Sequence, residues 1–255
     1  MTDDPSDRIL IPAATAVVFR RPMAGPPELL MVQRAKTMEF AGGAAVFPGG
    51  KVDAQDHELS AKLTGRQEPE LSAARIAAIR ETLEETGLAL GLRNRVSAAE
   101  AAEARAMLLE AGALAPVLEA FGWELDLSRL VHFAHWCAPR KRAYDTHFFL
   151  SDIGSGAVDL AVDETECTRL FWASAAKTLA MASAGEISVI YPTRRNLERL
   201  ALFDSFADAV AHIDQFPVQR ILPAEIDRDG ESWVEIPEGL GYPVVRQSIT
   251  QVERG

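Results

Sequence analysis

Glu81, Glu84 and Glu85 stand at i, i+3 and i+4 in the run Arg80-Glu81-Thr82-Leu83-Glu84-Glu85-Thr86-Gly87-Leu88. In a helix, that spacing puts three carboxylates on one side of the rod, within reach of a shared cation, and so makes a metal-binding face. Like charges about 6 Å apart repel by roughly 0.7 kcal/mol per pair in water, and several-fold more at an effective dielectric near 20. In a cleft, the repulsion raises carboxylate pKa values unless a divalent ion or an arginine compensates. Arg80, one turn before Glu84, is placed to compensate in part. On a solvated face the same acids would be ordinary surface charge.

The chemistry therefore depends on a helix and on what faces it. Ile76, Ile79 and Leu83 repeat at helical spacing on the other side, so one face is expected to pack and the acidic one to stay wet. Ser72 is the expected N-cap and Gly87 the expected left-handed C-cap. Upstream lies Phe47-Pro48-Gly49-Gly50-Lys51-Val52-Asp53-Ala54-Gln55-Asp56. Its paired glycines follow a short apolar strand, Ala44 to Phe47, and let the backbone approach a ligand closely.

A glycine turn ahead of an acid-faced helix resembles the Nudix hydrolases. Their box runs glycine, five residues, an acid, seven residues, then Arg-Glu-(apolar)-x-Glu-Glu-x-Gly-(apolar). Here Gly50 would open the box, Asp56 would replace the first glutamate, and Arg80 to Leu88 match the second half, with Thr82 at the apolar position. Residues 57 to 79 form a spacer of 23 where the common box has seven, an insertion of 16. Loop-closure entropy grows slowly with length, so a spacer of this kind can still return the turn to the helix. An interrupted box resembles the peroxisomal-type coenzyme A diphosphatases of the group. So do Leu29 to Arg34 with Met38-Glu39-Phe40 and Gly43, the pair Trp136-Cys137-Ala138-Pro139 and Arg142 to Phe149, and Glu164-Thr165-Glu166 followed by Trp172. The resemblance covers about residues 10 to 200.

That resemblance implies an α/β/α sandwich around a mixed sheet, and hydrolysis of a diphosphate bond by water. CoA or acyl-CoA would be cut to 3',5'-ADP and a 4'-phosphopantetheine product. It assigns Mg2+ or Mn2+ to Glu81, Glu84 and Glu85 together with the main-chain carbonyl of Gly49. Glu166, favoured over Glu164, would be a further base or ligand. Arg80 is read as a brace that orients the glutamates. Arg34, at the end of a strand leading to the turn, is the candidate phosphate contact, and Gly50 the close-approach point for substrate. NADH, ADP-ribose, nucleotide sugars and dinucleoside polyphosphates remain alternative substrates, and a non-catalytic Nudix-fold ligand-binding module remains the rival of another class.

Composition bounds the rest. The 255 residues, 48% hydrophobic and 25% charged, describe an ordinary globule and call for no second domain, so one domain over residues 8–255 is expected. Within it, the insertion would fall at about 57–72 and a C-terminal extension at about 205–255. A net charge of −11 and a pI near 5.0 argue against a nucleic-acid or anionic-membrane footprint. The expected partner is a small nucleotide, and a homodimer is the candidate assembly. The N-terminus lacks signal-peptide character, the chain ends Val252-Glu253-Arg254-Gly255 rather than Ser-Lys-Leu, and Cys137 and Cys167 imply no disulfide framework. A cytoplasmic protein is expected.

Among the elements, Ala13 to Phe19 and Leu29 to Arg34 read as a hairpin, Ser97 to Ala111 as a helix ended by Gly112, and Leu130 to Trp136 and Tyr144 to Leu150 as strands. Ser174 to Ala184, Thr193 to Phe203 and Asp204 to Ile213 read as helices. A tail hairpin is expected between Val218 to Leu222 and Ser232 to Ile236, around Asp229-Gly230. His132, His135, Cys137 and His147 match no closed zinc motif, and strand alternation would send them to both faces, so zinc is not expected. Trp136 and Phe148 are expected as core or pocket wall.

Overall fold

The computed structural model describes residues 9–35, 41–63, 68–154 and 167–249. The expected hairpin is present: β1 (Ile9–Arg20) pairs antiparallel with β2 (Glu28–Arg34), Phe19 opposite Leu29. The Arg20 guanidinium pairs with Glu28 and lies over the Trp172 ring, which pins the turn end of the hairpin. Two short strands follow, β3 (Ala45–Val46) against β2 and β4 (Gly49–Lys51) against β1. Then come α1 (Ala54–Lys62), α2 (Pro69–Thr86), α3 (Ala98–Ala111) and α4 (Leu114–Phe121). The second half contributes β5 (Val131–Cys137), β6 (Arg142–Asp152) and β7 (Cys167–Ala173), then α5 (Ala175–Ser183), α6 (Tyr191–Leu200) and α7 (Phe206–Gln215). Four short strands close it: β8 (Arg220–Ile221), β9 (Ala224–Arg228), β10 (Glu231–Glu235) and β11 (Arg246–Ser248).

Among the described residues, eight strands form one mixed sheet with the path β3-β2-β1-β6-β5-β8, β4 alongside β1 and β7 alongside β2. β1 and β6 run parallel from Ile9 opposite Arg142 to Phe19 opposite Asp152. Alternation along β1 explains the layers. Ala14, Ala16 and Val18 pack with Ala74, Ile76, Ala77 and Ile79 of α2 on one face. Val17 and Phe19 pack with Leu197 and Leu200 of α6 and Ala182 of α5 on the other. Helices thus cover both faces, and the α/β/α sandwich with a mixed sheet is what forms.

Three local expectations are corrected. Helix α2 begins at Pro69, whose fixed φ suits the first helical position, with Glu68 as N-cap; Ser72 lies inside the first turn and is buried. The acidic side of α2 is only partly wet, because α1 and β4 pack against it: Arg80 and Glu85 are buried, while the Glu81 and Glu84 side chains keep 15% and 19% exposure. In the tail, the run from 218 to 222 does not form the hairpin arm. Pro223 interrupts it, β8 joins the main sheet parallel to β5, and the arm facing β10 is β9. The turn itself is as expected, with Asp229 and Gly230 both at positive φ and the Gly230 N–H donating to the Asp227 side chain.

Candidate active site

Strand β4 brings the glycine turn against α2. Gly49 pairs opposite Thr15 and Gly50 opposite Ala14, and the Gly49 N–H donates to Glu85 Oε2 at 3.0 Å. A Cβ on Gly50 would sit inside the Glu81 carboxylate, and one on Gly49 would strike the backbone of Ala14 and Thr15. Glycine at position 49 is therefore required for close approach to the central strand, and glycine at position 50 lets the Glu81 carboxylate keep its place. The helix is closed by Gly87 in the left-handed conformation, its N–H bonded to the Leu83 carbonyl.

Arg80 is the hub of the site. Its Nε and Nη2 donate to the two Asp56 carboxylate oxygens at 3.1 and 3.0 Å, its Nη1 to Glu81 Oε1 at 2.8 Å and Glu84 Oε2 at 3.1 Å, and its Nη2 to the Lys51 carbonyl at 2.9 Å. The side chain is only 4% exposed and that of Asp56 1%. Burial works to depress the Arg80 pKa, but Asp56, Glu81 and Glu84 outweigh it and hold the guanidinium above its ordinary range. Burial raises the Glu84 carboxyl above its usual value, with Arg80 opposing that shift and Asp56 adding to it. A carboxylate lifted in this way is primed to gain from a nearby cation.

Asp56, which the resemblance sets at the position of the first box glutamate, has its geometry fixed by a local helix start. Residues 54 to 62 form α1, and Asp56 is the third residue of a capping box with Asp53, accepting the Asp53 N–H at 2.9 Å. The box insertion is thus partly helical, and the first turn of that helix presents Asp56 to Arg80. The signal was visible as Asp53-x-x-Asp56.

Arg34 also reaches the box. A register shift between Gln33 and Arg34 in the pairing with β7 interrupts regular alternation at the end of β2. Arg34 Nη1 lies 3.7 Å from Glu85 Oε1, and its Nε is buried with no hydrogen-bond partner among the described residues. Arg34, Gly49, Gly50, Arg80, Glu81, Glu84 and Glu85 are therefore contiguous. Glu164 and Glu166 lie outside the described residues.

The donor chemistry fits a hard divalent cation: carboxylate oxygens from one helix beside a glycine backbone that leaves no room for a side chain. Among the described residues, however, no group of three His, Cys, Asp or Glu side chains stands in ligating geometry. Arg80 engages one oxygen each of Glu81 and Glu84, and the Gly49 N–H engages one of Glu85.

A second polar cluster lies across β1 from the turn, and strand alternation did not anticipate it. A register shift between His132 and Ala134 puts Phe133 and Ala134 both in the core beside α6, so His132 and His135 return to the same face as His147. His147 Nδ1 and His132 Nε2 are 3.0 Å apart, the His135 and His147 rings stack at 3.9 Å, and His135 Nε2 bonds Asp145 Oδ1 at 2.7 Å. Burial, then the neighbouring imidazoles, lowers His132 to about 3; burial and His135 lower His147 to about 4. Trp136 and Phe148 are buried in the core, as expected.

Comparison with known proteins locates these features. No family model matches the chain. It is 29% identical over 237 residues to an acyl-coenzyme A diphosphatase, NUDT19, of Gallus gallus, an alignment covering 71% of this chain and 63% of that protein. The chain thus spans under two thirds of the curated relative it matches. A crystal structure of a NUDIX hydrolase from Alicyclobacillus acidocaldarius superposes with a TM-score of 0.66 at 28% identity, covering 80% of this chain and 96% of that one. A MutT protein from Methanosarcina mazei aligns at 15% identity with a TM-score of 0.44, over 76% of this chain and 94% of its own.

Proposed function

We propose, from the Nudix fold of this chain and its likeness to an acyl-CoA diphosphatase, that it is a divalent-metal-dependent pyrophosphohydrolase acting on a small nucleotide, CoA or acyl-CoA. The observation that carries the reading is the convergence of the glycine turn, the buried Arg80–Asp56 pair and three glutamates at one place, in box order and across a long insertion. No helix of the described residues is long and apolar enough to cross a membrane.

In this reading, Glu81, Glu84 and Glu85 with the Gly49 carbonyl hold Mg2+ or Mn2+, which when bound neutralises phosphate charge and lowers the pKa of coordinated water. The chain's own residues do the remaining work. Arg80, clamped by Asp56, holds Glu81 and Glu84 by one oxygen each and fixes their rotamers. Gly50 keeps the space beside Glu81 open. Arg34, already beside Glu85 and with a buried Nε–H that no described residue accepts, supplies positive charge to a substrate phosphate. Phosphoryl transfer needs positioning and charge neutralisation more than a covalent nucleophile, so these residues suffice in kind. Glu166 is retained as the candidate base or further ligand. Incubation with CoA, acyl-CoA, NADH, ADP-ribose and dinucleoside polyphosphates, each with Mg2+ or Mn2+ and with product identification, tests the reading. Release of 3',5'-ADP from CoA supports it, and inertness of the folded protein on the whole panel removes it.

A further inference from the structure

Glu84 and Glu85 sit in the last turn of α2, where backbone carbonyls run out of helical partners. The Leu83 carbonyl accepts the Gly87 N–H at 2.9 Å. The Glu84 carbonyl would take the Leu88 N–H if the helix went on, but that N–H donates to Thr86 Oγ1 at 3.2 Å. A side chain from outside the box meets the Glu84 carbonyl instead: Arg105 Nε donates to it at 2.8 Å. Helix α3 delivers this arginine. Ala104 and Leu108, both fully buried, pack with Leu83 of α2 in a cluster that Leu92, Val117 and Trp123 complete. Trp123 Nε1 donates to Glu100 Oε1 at 2.8 Å, which ties the first turn of α3 to the segment after α4. A guanidinium also suits the negative end of the α2 dipole.

The turn that carries two of the three box glutamates is thus fixed at three points. Arg80 Nη1 holds Glu84 Oε2, the Gly49 N–H holds Glu85 Oε2, and Arg105 holds the peptide that joins the two residues. We propose, resting on the metal-dependent reading above, that Arg105 is a positioning residue for the divalent cation. By fixing the peptide between Glu84 and Glu85, its Nε–H sets how their two carboxylates stand to each other, and so sets the affinity of the site for Mg2+ or Mn2+. Groups that orient metal ligands from behind are worth about 10- to 100-fold in metal affinity. Arg105 lies outside the box and 21 residues after Glu84, so the box pattern gives no sign of it.

Arginine Nε, glutamine Nε2 and methionine Cε occupy the same place along their side chains. Arg105→Gln therefore keeps the donor without the charge, and Arg105→Met keeps the length without either; both are good helix formers at a half-buried position. Mn2+ binding to the full chain, followed by the EPR signal of the free ion, is compared for wild type, both variants and Glu85→Gln, with a metal-free melt of each. The expected result is a rise in Kd of about tenfold or more for Arg105→Met, and a Kd within about threefold of wild type for Arg105→Gln. Metal-free Tm should fall by no more than about 4 °C in either. A helix cap with no further role would lower Tm and leave Kd alone. Wild-type affinity in Arg105→Met, with binding still weakened in Glu85→Gln, overturns the inference and leaves the metal reading standing. An equal loss in Arg105→Gln and Arg105→Met also overturns it, because charge rather than the hydrogen bond would then be responsible. Absence of saturable Mn2+ binding to wild type overturns both the inference and the metal reading.

Discussion

At the scale of single residues, the site rests on a charge arrangement in which each partner has a separable task. Glu85→Gln keeps an oxygen able to accept from Gly49 but removes the negative charge a cation would use. Turnover of the substrate is predicted to fall by about 100-fold or more, with Tm changing by only a few degrees. A steady-state assay paired with a melt checks both. Asp56→Ala should do the opposite. It leaves Arg80 buried without its bidentate partner and should cost about 3 kcal/mol of stability, read from urea denaturation; a loss below about 1 kcal/mol would refute the hub role of the pair. The spacing of the three glutamates, the flanking arginine and the glycines were all legible in the sequence, because helical and turn chemistry are local. The grip of Asp56 on Arg80 was not, since their 24-residue separation is closed only by the fold.

At the scale of elements, β4 and α2 meet through two glycines whose substitutions should separate by effect. A methyl on Gly50 meets the end of a flexible side chain, Glu81, so Gly50→Ala is predicted to cut activity strongly with little loss of stability. On Gly49 it meets the backbone of β1, so Gly49→Ala should lower Tm markedly as well. Similar melting curves for both variants would contradict the packing described. Helix ends carrying their own stop signals, such as Ser97 and Gly112 around α3, were readable from composition alone. What escaped were the interruptions: Pro69 shifted the start of α2, Pro223 split the tail strand, and the irregularity around Phe133 put His132, His135 and His147 on one face. A one-residue irregularity reverses alternation beyond it, and nothing local in the sequence announces it.

At the scale of the molecule, the histidine cluster makes stability depend on pH in a defined direction. His132 and His147 stay neutral down to about 3 and about 4 in the folded chain, but take a proton near 6.5 when unfolded. Between those values the unfolded chain binds more protons, so stability falls as pH falls, by about 1.4 kcal/mol per pH unit for each histidine. Arg75 and Arg220 add to the disfavour of charging, while Asp145 opposes it for His147. Urea midpoints at pH 7, 6 and 5 should drop more steeply for wild type than for His132→Gln; equal slopes would contradict the assignment. The layered fold was foreseeable from the family resemblance, whereas the partial covering of the acidic side of α2 was not, because it depends on α1 folding back from within the insertion. The central claim is that this buried acid-and-glycine arrangement uses a divalent ion to let water break a diphosphate bridge. Mass-spectrometric identification of the products of CoA incubated with Mg2+ or Mn2+ tests it most directly. The expected products are 3',5'-ADP and 4'-phosphopantetheine, lost on chelation and in Glu85→Gln; intact CoA, or equal product from the variant, would overturn the metal-dependent hydrolase reading.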